Sequence, residues 1–142
     1  MAAQNRSAPG PPDLPLFQTI AEIIAMGKLT THVLDTTKGG PAAGMWVSLY
    51  RVNVAGAVKL KSLRLNADGR ADAPLLTDAD MVPGRYRLLY QVAAYFREQG
   101  ATLPEPAFLD QVPLDFGIAD PHSHYHVPLL VSPWSYSTYR GS

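Results

Sequence analysis

The chain contains no cysteine, which excludes a disulfide framework, a thiolate metal site and a cysteine nucleophile. Nor does it carry an excess of either charge, since 12 lysines and arginines balance 12 aspartates and glutamates. A protein that tracks a phosphate backbone shows a basic surplus or a basic face, so nucleic acid is not an expected partner. No apolar run approaches the roughly 20 residues of a membrane span, and no membrane partner is expected. What is present is 142 residues of mixed composition. That is the size of one domain, able to bury about two-thirds of its unfolded surface without covalent staples.

The N-terminus differs from the rest. Residues 1–13, MAAQNRSAPGPPD, are small, polar and proline-rich, the composition of a disordered segment. In LPLFQTIAEIIAMG, Leu16, Phe17, Ile20, Ile23 and Ile24 recur at helical spacing, and Gly27 stands where a helix would end. Gln18, Thr19 and Glu22 break the unbroken apolar stretch that a secretory signal needs, and only Arg6 precedes it. The reading is an extension over residues 1–28 with a short amphipathic helix, packed on the domain or on a neighbouring subunit. A cytoplasmic protein follows, with a degenerate export signal as the alternative.

From Leu29 onward the signal is β. In LTTHVLD, Leu29, Thr31 and Val33 share one face while Thr30, His32 and Leu34 share the other. TTKGGPAAG is turn chemistry, MWVSLYRV a second strand, and AVKLKSLRL a third closed by the Asp68-Gly69 turn. RYRLLYQV places Tyr86, Leu88, Tyr90 and Val92 on one face, and AAYFREQG predicts one or two helical turns ended by Gly100. AFLDQVPLDFGI and HYHVPLLVS are later strands, and WSYSTY the last. Seven or eight short strands with regular turn signals predict an all-β sandwich over residues 29–142 with one short helix. Pro128 inside a strand pattern predicts an edge strand or a bulge in its partner.

Three of the four histidines crowd into HSHYHVPLL. At strand period His122, His124 and His126 point one way, and Tyr125, Val127, Leu129 and Val131 point to the core. Three readings stand open for these imidazoles: a polar outer face, a zinc or copper site built from alternate residues, or acid–base chemistry near neutral pH. No carboxylate lies within the motif, which weighs against the metal. His32 sits mid-strand among β-branched residues, and Arg70 follows the tight turn in NADGRAD.

Taken together, LTTHVLDTTKGGPAAGM, DGR, HYHVPLL and the final YSTYRGS resemble the 5-hydroxyisourate hydrolases, the enzymatic relatives of transthyretin. The likeness covers residues 29–142 in the family's order. It implies a transthyretin-like two-sheet sandwich assembled as a homotetramer, a dimer of dimers, with each cleft where dimers meet. It implies a hydrolase that opens 5-hydroxyisourate at a cyclic amide, without a cofactor or metal. His32, Arg70, His126 and Ser142 match the family's catalytic positions, and Tyr139, Arg140 and Gly141 match its substrate-binding motif. His122 and His124 match neither and are assigned to the polar face or the groove rim. Trp134 and Ser135 depart from the family's usual aromatic and glycine. The alternative from another class is a non-catalytic, transthyretin-like protein that binds a small ligand in its central channel.

Overall fold

Period-two alternation sorts most of the chain into strands that bury one face each. The computed structural model describes residues 27–141. The helix expected up to Met26, and Ser142, lie outside the described residues. The strands are β1 (Lys28–Asp35), β2 (Gly40–Pro41), β3 (Trp46–Asn53), β4 (Gly56–Arg64), β5 (Leu76–Thr77), β6 (Gly84–Gln91), β7 (Gln111–Ile118), β8 (His124–Val131) and β9 (Tyr136–Thr138). Among the described residues one α-helix, α1 (Val92–Glu98), follows β6, and a single 3-10 turn covers Asp78–Asp80.

Two sheets face each other. One runs β9-β8-β1-β2, with β5 also paired to β1, and the other runs β4-β3-β6-β7. Every pairing is antiparallel except β1 with β8, which is parallel and in register from Lys28↔His124 to Asp35↔Val131. The core lies between the sheets. Leu29 and Val33 of β1 and Leu129 and Val131 of β8 meet Leu88 and Tyr90 of β6 there, all fully buried. The expected faces of β1, β6 and β8 are the buried ones. The helix also falls where AAYFREQG placed it, and Gly100, at φ 93°, turns the chain out of it.

Other expectations shift. β2 lies inside TTKGGPAAG, which read as a turn, and β5 in a segment given no element; both are two-residue strands, too short to show any periodicity. The last strand is only Tyr136–Thr138; Trp134 sits in a turn held by Ser132, whose hydroxyl accepts from the amides of Trp134 and Ser135. Pro128 does not mark an edge, because β8 has neighbours on both sides. Its missing N–H is accommodated otherwise: the β9 ladder stops at Thr138↔Leu129, and Thr138 Oγ1 donates to the Pro128 carbonyl at 2.7 Å. His122 lies in the turn before β8 and not on the strand, because Asp120 accepts from His122 N and Ser123 Oγ and folds that turn.

Two buried polar contacts lock the sheets to one another. Thr31 Oγ1 donates to Val127 O at 2.7 Å, so it must accept from Tyr90 Oη at 2.9 Å, a bond that ties β1 and β8 to β6. Asp35, 2% exposed, accepts from Tyr95 Oη at 2.9 Å and from Thr37 N at 2.9 Å, which fixes α1 over the end of β1. Burial, with Asp35 beside it, raises the Tyr95 phenol above its ordinary range, so it stays protonated and keeps donating. Tyr95→Phe leaves that buried carboxylate short of a donor. The expected loss is about 1–3 kcal/mol in urea unfolding with an unchanged m-value; an unaltered midpoint would show that the contact contributes nothing.

Candidate active site

The parallel pair β1–β8 sets the stage. Register places Thr30 beside His126 and His32 beside Pro128, so Thr30, His32, His124 and His126 share the face turned away from the core. All four are half-buried.

Arg70 reaches the same place through the loop after β4. Asn66 Oδ1 accepts from the amides of Asp68 and Arg70, at 2.9 and 3.1 Å, and winds the loop tight. Gly69 then adopts φ +73°, and a Cβ on it would lie 2.6 Å from Val33 O. Only glycine meets both demands, the left-handed backbone and the close approach to β1. Gly69 O in turn accepts from Val33 N at 2.9 Å, and Arg70 bridges to His32. The loop thus sets the guanidinium beside the two imidazoles.

A cavity of about 410 Å³ opens at this point, lined by Thr30, Arg70, His124 and His126 together with Lys28 and Asp72. Its size suits a small flat molecule with water, within the usual few hundred Å³ of ligand sites. Arg70, a planar cation in the cavity wall, can meet a carbonyl oxygen or a developing negative charge. The imidazoles are held neutral. Burial, followed by Arg70, lowers the pKa of both His32 and His126 below the ordinary 6.5, and His124 and His32 add to the effect on His126. A hydrogen bond from the His32 ring to the Asp68 backbone works in the opposite direction. His124 is lowered as well, by burial, then Lys28 and Arg140. Neutral imidazoles beside a fixed guanidinium can take and return protons near neutral pH.

The tail meets this site in part. Gly141 bridges to His126, its N–H donating to His126 O at 2.8 Å. A Cβ on Gly141 would lie 2.6 Å from His126 Cδ2, so the absent side chain lets the tail close on the ring. Arg140 lies elsewhere: its guanidinium stacks 4.2 Å from the Tyr125 ring centroid and donates to His124 O at 3.3 Å. With Tyr139 it lines a separate hollow of about 280 Å³ that includes Leu114, Phe116 and Val127. Within one chain, then, His32, Arg70, His126 and Gly141 converge while Tyr139 stands apart; Arg140 reaches the rim, where it lines a hollow of about 500 Å³ with His124 and Gly141, and Ser142 lies outside the described residues. Thr30 was missed as a cavity residue, and His124, assigned to the polar face or the groove rim, lines the cavity itself; Thr30 and His124 share the outward face that carries His32 and His126. Among the described residues, no three His, Asp or Glu side chains gather as metal ligands.

Residues 29–141 match the HIUase/transthyretin family. A 5-hydroxyisourate hydrolase of Mesorhizobium japonicum is 56% identical over 82% of this chain and 93% of its own length. Among solved structures, a Klebsiella pneumoniae 5-hydroxyisourate hydrolase superposes with a TM-score of 0.65 and 36% identity, covering 81% of this chain and 99% of that one. An (S)-allantoin synthase superposes with a TM-score of 0.78 and 41% identity over 89% of this chain, which spans about half, 48%, of that protein.

The electrostatics can be read directly by NMR titration of the ring protons. His32 and His126 are expected to titrate below 6.5. Arg70→Gln removes the repulsion but not the burial, so both midpoints should rise, and that of His126, where burial still acts, should stay below 6.5. Wild-type midpoints above that value would mean that a negative group, not Arg70, dominates the site.

Proposed function

Because the chain belongs to the HIUase/transthyretin family, we propose that it hydrolyses 5-hydroxyisourate in the cavity between β1, β8 and the Arg70 loop. The chain is an enzyme of this type, with high identity to 5-hydroxyisourate hydrolases over most of its length. Non-catalytic ligand binding has no such support.

The reaction asks for three things: a water stripped of a proton, a cyclic amide carbonyl that can accept negative charge, and a proton for the departing ring nitrogen. Water adds to the carbonyl carbon, the carbonyl electron pair moves to oxygen, and collapse breaks the C–N bond. The six-membered ring opens to 2-oxo-4-hydroxy-4-carboxy-5-ureidoimidazoline. In this reading one imidazole of His32 and His126 takes the water's proton and becomes imidazolium, and the pair passes that proton on to the departing nitrogen as the C–N bond breaks. Arg70 offers its planar donors to the carbonyl oxygen as it becomes anionic, where a charged donor outperforms a neutral one. Gly141 admits the tail against His126. Arg140 and Tyr139 act at the rim, and Ser142 is included on the strength of the YRGS motif alone.

The observation that carries the reading is that Arg70 and His126 line one cavity while Arg70 is bridged to His32. No cofactor is invoked, and the steps need only groups this chain supplies. We further propose a homotetramer, a dimer of dimers, in a cytoplasmic setting. Exposed Phe108 and Trp134, with ring centroids 5.9 Å apart, and the half-exposed Tyr136 on edge strand β9 are among the apolar groups available to such an assembly. No helix among the described residues is long and apolar enough to cross a membrane.

The test follows 5-hydroxyisourate, generated with urate oxidase, by its absorbance against the unassisted decay. Wild type should accelerate the decay in the presence of chelator. His32→Ala and His126→Ala should each lower the enzymatic rate by about 10²–10⁴-fold, the usual worth of a positioned acid or base. Variants as fast as wild type would remove these histidines from the mechanism.

A further inference from the structure

Thr30 is the least conspicuous residue lining the cavity, since a β-branched side chain is what any strand would place there. Its hydroxyl is not placed as an ordinary surface hydroxyl. Oγ1 lies 2.8 Å from Nε2 of His124 and 2.8 Å from Nδ1 of His126, between two rings of the neighbouring strand. The in-register pairing of Thr30 with His126 builds this bridge, because alternate residues of β8 flank the hydroxyl.

A hydroxyl has a single proton. Thr30 can therefore donate to only one of the rings, and two arrangements place its proton between them while the other ring donates to it. In the first it donates to Nδ1 of His126, whose own proton then sits on Nε2. In the second it donates to Nε2 of His124 and accepts from Nδ1–H of His126, which leaves a lone pair on Nε2 of His126.

Two arguments select the second. Arg70 lines the same cavity, and with Nδ1 engaged by Thr30 the positive charge there favours a lone pair on Nε2 over the positive end of an N–H bond. The second argument concerns the proton once it has moved. An imidazole that takes a proton on Nε2 carries hydrogen on both nitrogens, so its Nδ1–H must find an acceptor. Thr30 provides one only while its own proton goes to His124. Because burial, then Lys28 and Arg140, lower the pKa of His124, that ring stays neutral and able to accept.

The contacts around the ring agree. Thr30 holds the Nδ1 edge of His126, and Gly141 closes on the Cδ2 edge. Nε2 is the nitrogen left for chemistry.

We propose that Thr30 is a positioning residue: relaying its proton to His124, it fixes His126 as the Nδ1–H tautomer and makes Nε2 of His126 the base that takes the proton of the attacking water. This rests on the hydrolase reading given above, and it leaves His32 to help hand that proton on to the departing nitrogen.

Two measurements test it, one of them independent of activity. Nitrogen-15 NMR of the wild-type imidazoles at neutral pH should show His126 with its proton on Nδ1; a proton on Nε2 overturns the proposal. Thr30→Val keeps the branched shape and removes the hydroxyl. It should move the His126 proton to Nε2 and lower kcat by about tenfold or more, with KM little changed, as expected when a base is misoriented. Thr30→Ser, which restores the hydroxyl, should recover most of kcat. A Thr30→Val enzyme with full kcat contradicts the proposal, and so does a folded pair in which serine fails to rescue, because packing would then explain the loss. Should valine prevent folding, the wild-type tautomer still decides. A wild-type protein that does not speed the decay at all refutes the hydrolase reading instead, and the tautomer measurement separates the two failures.

Discussion

The site depends on one backbone arrangement, the parallel, in-register pairing of β1 with β8. A sheet that alternates its side chains needs only this register to bring Thr30 and His126 level and to set His32 further along the same face. A slip of one residue would send His124 and His126 into the core and Tyr125 and Val127 outward, at the cost of the buried face. The core therefore enforces the geometry of the cavity. Leu29, Val33, Leu129 and Val131 are all fully buried, and the Thr31–Tyr90 bond pins both strands to the opposite sheet.

Around that pair, the chemistry comes from loops. Arg70 arrives on a turn whose shape is dictated by Asn66 and Gly69, and the turn is sewn to β1 by the Gly69 carbonyl. Burial and the guanidinium keep the imidazoles uncharged. A neutral base beside a permanent cation suits attack on an amide, because the cation serves the oxygen while the base serves the water. The tail adds a third component. A mobile tail would lose about 1–2 kcal/mol of backbone entropy for each residue it orders. Three residues of β9, the Thr138–Pro128 bond and the Gly141–His126 bridge hold it in place.

Much of this was legible from residue order. Faces at period two followed from alternation in LTTHVLD and HYHVPLL, and so did the shared outward face of His124 and His126. Joining His32 to His126 required a strand partnership between distant segments, which no local pattern contains; the family resemblance supplied it. Arg70 was visible as a residue after a turn, but its nearness to His32 depends on where that turn docks. Thr30 could not be singled out, because a threonine that only fits a strand and one that bridges two rings look alike in sequence. Pro128 misled for a related reason: a lost N–H matters only where a ladder bond is required, and β9 makes none there. Arg140 was grouped with the cavity by its motif, and within one chain its guanidinium instead stacks on Tyr125.

The central claim is that a planar substrate meets Arg70 and His126 together on the shared face of β1 and β8. A crystal structure of the protein with a non-hydrolysable, urate-like purine tests it most directly. The ring is expected in the cavity beside Thr30, with an exocyclic oxygen on the Arg70 guanidinium and His126 Nε2 turned toward the carbon that water would attack. A ring seated instead in the hollow between Leu114, Tyr125 and Arg140, away from both imidazoles, would contradict it.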